Sequence, residues 1–144
     1  MHRVNRSALV PFSADQMYRL VEDVESYPKF LPWCADATLH SREGDVVIGS
    51  VLMSKGALQK RFKTRNVMTH GERITLELID GPFSSLEGEW LFDAIEDAGS
   101  KVSLNIEFDF DSPITDRLLG RFFEDICNSM VRAFTERAIV IYGP

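Results

Sequence analysis

Cysteine is scarce in this 144-residue sequence: Cys34 and Cys127 are the only two, which excludes a disulfide framework and a four-thiolate zinc site. A cationic excess is missing as well. The formal net charge of -6 argues against a protein that coats nucleic acid, DNA included, through overall charge. Long apolar runs are absent; the longest, Ala138 to Tyr142, falls far short of the ~20 residues a membrane-spanning helix needs. Met1 to Arg6 carries no apolar block of the kind found in a secretory signal, which predicts a cytoplasmic protein. Proline and glycine form no linker and no segment repeats, so a single domain over residues 1–144 is expected.

Signals of catalysis are equally thin. His2, His40 and His70 are scattered, with no carboxylate spacing that would build a metal site. Neither cysteine has a sequence-local partner that would activate a thiolate. There is no glycine-rich phosphate loop and no Gly-x-Ser-x-Gly elbow. No catalytic residue, metal ligand or required cofactor is expected.

What the sequence does contain is periodicity. Val102, Leu104, Ile106, Phe108 and Phe110 alternate with Ser103, Asn105, Glu107 and Asp109, a strand with one apolar and one wet face. Leu86, Gly88, Trp90 and Phe92 alternate in the same way with Glu87, Glu89 and Asp93, as do Ile74, Leu76 and Leu78 with Thr75 and Glu77. Val46–Ser54 and Leu58–Val67 are further strands, and a first strand ends at Val10-Pro11. Turns fall at Glu43-Gly44-Asp45, Asp80-Gly81-Pro82 and Asp97-Ala98-Gly99-Ser100. Roughly seven strands with short connections predict an antiparallel sheet.

Two helical regions flank it. Ser13-Ala14-Asp15-Gln16 has the form of a capping box, and Met17, Leu20, Val21 and Val24 follow on one face. Tyr27-Pro28-Lys29-Phe30-Leu31-Pro32-Trp33-Cys34 permits one further short turn but no long helix. A long helix begins at Ser112-Pro113, with Leu119, Phe122, Phe123, Ile126, Met130, Ala133, Phe134 and Ile141 in one stripe. An element of that length must lie along an apolar surface, and the sheet is the only one available. The expected class is α+β, an antiparallel sheet curled around a C-terminal helix.

The inward positions are rich in large rings: Trp90, Phe92, Phe108, Phe110, Phe122, Phe123 and Phe134. They either fill a core or line a cavity for an apolar ligand, and periodicity alone does not separate the two. Arg137 lies within the apolar stripe, either snorkelling near the helix end or reaching a ligand's polar head at the cavity mouth. Arg61, Lys63 and Arg65 alternate on one strand, with Lys55 and Lys60 nearby. This basic ridge is either the charged guard of an edge strand or a docking strip for RNA phosphate or an anionic membrane.

The order of elements and several motifs resemble the START-like helix-grip superfamily in its polyketide cyclase/dehydrase-type branch. The sequence is most similar to the group holding the coenzyme Q-binding START proteins and the bacterial ribosome association toxin. Arg6-Ser7-Ala8-Leu9-Val10-Pro11, Tyr27-Pro28-Lys29-Phe30-Leu31-Pro32-Trp33-Cys34, Thr64-Arg65-Asn66 and Asp80-Gly81-Pro82-Phe83 carry the resemblance. Phe108-Asp109-Phe110 and Asn128-Ser129-Met130-Val131-Arg132-Ala133-Phe134 extend it. It implies seven antiparallel strands gripping the C-terminal helix, two short helices after the first strand, and a hydrophobic tunnel. In the coenzyme Q-binding members the tunnel implies a polyprenyl quinone ligand, with respiration supported without turnover. Phe30, Leu31, Trp33, Phe83, Ile126 and Met130 then join the rings above as the expected lining. The loop from Tyr27 to Trp33 becomes a gate that touches the inner membrane peripherally. In the toxin members the resemblance implies binding to the large ribosomal subunit, with the basic ridge as the surface of suitable sign. A polyketide cyclase/aromatase is a third outcome, disfavoured by the lack of an acid–base pair. The sequence leaves lipid binding as the main expectation and ribosome binding as its alternative.

Overall fold

Strict alternation between Val102 and Phe110 buries one face of its strand: Val102, Leu104, Ile106 and Phe108 are all at most 6% exposed. The computed structural model describes residues 1–96 and 98–143. Asp97, the first residue of one expected turn, lies outside them. The strands are β1 (His2–Val10), β2 (Cys34–Glu43), β3 (Val46–Lys55), β4 (Leu58–Thr69), β5 (Arg73–Asp80), β6 (Phe83–Ile95) and β7 (Gly99–Phe110). They form one antiparallel sheet in the order β1-β7-β6-β5-β4-β3-β2. Register shifts in β2, at Lys63/Thr64 and at Phe83/Ser85 mark bulges or irregular pairing. An extra residue on one strand bends the ladder there, and such bends help the sheet curl.

Helix α1 (Ala14–Glu22) starts on the capping box expected from its sequence: Ser13 Oγ accepts from Gln16 N, and Gln16 Oε1 accepts from Ser13 N. Met17 and Val21 are buried; Tyr18 is buried beside them, packed edge-on to Phe92. A single 3-10 helix, Val24–Lys29, follows and contains Pro28.

Helix α2 (Pro113–Tyr142) runs 30 residues, about 45 Å at ~1.5 Å per residue. Ser112 caps it by accepting from Thr115 N, and Pro113 stands in the first turn, where a missing N–H is tolerated. The buried stripe is Leu119, Phe123, Ile126, Cys127, Val131, Phe134 and Ala138. Ile141, expected on that stripe, is instead 49% exposed. The spacing carries the buried line through Val131 and Ala138, and Ile141 turns away. At the other end His2 ties β1 to α2. Its ring nitrogens lie 3.0 Å from Asp116 and 3.3 Å from Glu124, and the imidazole stacks on Phe108.

The basic-ridge strand is not an edge. Strand β4 pairs with β3 throughout and with β5 from Lys63 to Thr69, so the guard explanation fails for Lys63 and Arg65, while Lys60 and Arg61 border the stretch that β5 leaves unpaired.

Candidate functional site

Two aromatic packs fill the ends of the space between sheet and helix. In one, Phe134 meets Tyr27, Phe30 and Trp90 edge-on at centroid distances of 5.4, 5.1 and 5.3 Å. In the other, Phe123 is packed by Phe62, Phe83 and Phe108 at 5.7, 4.9 and 4.7 Å. Between them lies a cavity of about 100 Å³, with Trp90 and Phe123 in its wall. That volume is several times the ~10–15 Å³ that one water requires, yet below the ~300–1,000 Å³ of usual ligand sites.

Of the residues expected to line it, Trp33, Trp90, Phe123, Ile126 and Met130 do so. Phe83, Phe92, Phe108, Phe110 and Phe134 are outside the wall and pack against other rings, Phe92 against Tyr18 and Trp90. Phe122 is half-buried and outside the wall, its ring 5.4 Å from the Lys55 ammonium. Phe30 and Leu31 face an outer groove instead. Leu76, Leu86, Leu104 and Ile106, apolar-face positions of the alternating strands, also line it although the rings were expected to, and Tyr27, Val51 and Phe62 join them without a signal from that alternation. Phe62, Thr64 and Asn66 do occupy the positions of β4 between Arg61, Lys63 and Arg65, so the ridge itself pointed to them.

The wall is mostly apolar. Thr64 donates to Asn66 Oδ1 at 2.8 Å, and Tyr27 donates its hydroxyl to the Val21 carbonyl, so neither hydroxyl proton is free. The indole Nε1 of Trp33 is buried without a hydrogen-bond partner among the described residues. No histidine, carboxylate or lysine belongs to the described lining. Cys127 is in the wall; burial pushes its thiol well above the ordinary range, and burial raises Cys34 to about 11. A raised pKa leaves little thiolate at pH 8. Both thiols are therefore expected to react slowly with a disulfide reagent in the folded protein and rapidly in 6 M urea. Fast native labelling at either position would contradict the packing described here.

The basic ridge is partly compensated. Arg61 lies 3.4 Å from Asp36 and also donates to Ser50 Oγ; Arg65 lies 3.9 Å from Glu77. The outer-face depression beside Arg65 and Arg73 is also lined by Glu77, Glu87, Glu89 and Glu107. Lys60 is exposed and Lys63 half-buried. Arg137 does not enter the central cavity: its guanidinium covers the Phe30 ring at 5.0 Å, on the outer side of the aromatic loop.

No helix among the described residues is long and apolar enough to cross a membrane. Residues 10–135 match the family described as polyketide cyclase / dehydrase and lipid transport. The chain is 43% identical over 143 residues to the ribosome association toxin RatA of Vibrio cholerae, covering 99% of each. It is 27% identical to the mitochondrial coenzyme Q-binding protein of Drosophila melanogaster, covering 96% of this chain and 59% of that one. Among solved structures, the Zhui aromatase/cyclase of Streptomyces sp. R1128 superposes with a TM-score of 0.84 at 13% identity, over 95% of this chain and 93% of that one. That likeness concerns the fold alone. With its seven-stranded antiparallel sheet, long C-terminal helix and a match over residues 10–135, the chain belongs to the polyketide cyclase / dehydrase and lipid transport family.

Proposed function

We propose that this protein associates with the ribosome, on its large subunit, and hinders subunit joining without chemical turnover. The observation that carries this is the 43% identity to a ribosome association toxin over 99% of both chains. The interior supports it. A quinone tail gains roughly 4 kcal/mol per five-carbon isoprene unit at ~0.8 kcal/mol per buried carbon, but only where there is room to bury it. A void of about 100 Å³ gives a multi-unit tail no such room. The absence of an acid–base pair from the described lining supports a binding role over a cyclase.

Lipid binding is the second reading, favoured by the apolar cavity and by the relative named for coenzyme Q. It requires the wall to open, with the residues from Tyr27 to Trp33 as the movable side and the inner-membrane surface as the place of loading.

Sedimentation tests the first reading. Purified protein added to a bacterial lysate is expected to move with large subunits in a sucrose gradient, while the 70S peak shrinks. Protein that stays at the top of the gradient, with the ribosome profile unchanged, overturns it. Mass spectrometry of the native protein tests the second: a retained polyprenyl quinone favours lipid binding.

A further inference from the structure

On the outside of the aromatic loop runs a groove of about 590 Å³, between residues 29–33 and the C-terminal half of α2. Three cations border it: Lys29, Arg132 and Arg137. Glu136 is the one acid in its wall, 3.2 Å from Arg132, so the groove carries a net positive charge on a chain whose total is -6. Two rings stand among the cations, Phe30 beneath the Arg137 guanidinium and Trp33, which also forms part of the inner cavity wall.

Resting on the ribosome reading above, we propose that this groove is where the protein holds single-stranded RNA of the ribosome. Unpaired RNA is recognised by stacking bases on rings or guanidinium planes while cations track the phosphates. The groove brings those groups together. The β4 ridge does not: Arg61 and Arg65 face Asp36 and Glu77, and four glutamates line the depression beyond. A membrane surface fits the groove poorly. Interfacial anchoring needs apolar side chains that protrude into the headgroups. Here Leu31 is 1% exposed and Phe30 is held from within by Tyr27 and Phe134, which leaves Val140, 72% exposed, as the protruding large apolar side chain of the groove's described lining. A concave, cation-rimmed slot admits a splayed base more readily than it enters a bilayer.

The test compares the full chain with Lys29→Glu/Arg132→Glu, both exposed positions, and with Arg61→Glu/Lys63→Glu/Arg65→Glu. Each is checked by thermal melting and measured against purified large subunits, a short fluorescein-labelled oligouridine, and vesicles containing phosphatidylglycerol. The groove variant is expected to lose at least about tenfold in affinity for subunits and oligouridine, and its salt slope to fall by about 1–2. The ridge variant is expected to bind as the parent does. Equal binding by the groove variant and the parent overturns the proposal while leaving ribosome association standing. A parent that binds oligouridine through the groove but ignores subunits keeps the groove as an RNA site and removes the ribosome reading. Groove-dependent binding to vesicles and not to RNA overturns the proposal in favour of a membrane surface. A parent that binds none of the three removes both.

Discussion

Replacing Phe134 with alanine is expected to lower the unfolding free energy by about 3–5 kcal/mol, read from urea denaturation. The side chain is 0% exposed and its ring meets Tyr27, Phe30 and Trp90 edge-on. Its loss removes three ring–ring contacts and opens a void that a helix fixed along its length cannot close. The effect falls at the junction of α2, the 3-10 helix and β6, so the aromatic loop should loosen with it. Proteolysis within residues 27–33 is expected to rise in the variant. A loss below about 1.5 kcal/mol would show that this end of the core is looser than described.

The second large effect concerns a corner rather than a core. Gly99 has φ 95°, and a Cβ built on it would overlap the Val10 carbonyl oxygen. Alanine there carries the cost of a left-handed backbone, about 1–3 kcal/mol, plus a clash with backbone that has no rotamer to yield. The neighbouring Ser100 is fully buried and donates to the Phe12 carbonyl at 2.8 Å, so the corner where β1 departs from β7 cannot shift without breaking that bond. Gly44 supplies the comparison: its φ is 59°, but nothing lies within 4 Å of an added Cβ. Gly44→Ala should cost only the dihedral, about 1–2 kcal/mol, with Gly99→Ala clearly beyond it in the same urea titration. Equal losses would mean that the close approach at Val10 is not maintained in solution.

The fold was legible because its signals are local and redundant. Val102 to Phe110 alternates without interruption, Ser13 and Gln16 spell a cap, and Ser112-Pro113 opens a helix whose stripe needs only 3.6-residue spacing. The cavity was less legible. A buried ring obeys the same periodicity whether it fills space, as Phe108 does, or borders it, as Trp90 does. Deciding between them requires knowing which rings interlock across the sheet and helix, and that depends on strands distant in sequence. Arg137 shows the same limit: its angle on α2 fitted the stripe, but only the approach of Phe30 from the loop shows which side it takes. The ridge of Arg61, Lys63 and Arg65 was visible as a pattern, while the carboxylates beside it, Asp36 and Glu77, arrive from neighbouring strands.

The pairing of β1 with β7 joins His2 to Phe108 and Val10 to Ser100. Strand β1 therefore waits until β7 has been synthesised before it finds its neighbour, and α2, which His2 then fastens, follows β7. Closing so long a loop is slow, and contacts this distant delay folding. A chain made only as far as β6 thus has neither the paired β1–β7 edge nor the slot beside α2. The slot proposed above to hold RNA therefore forms only after β7 and α2 have been made.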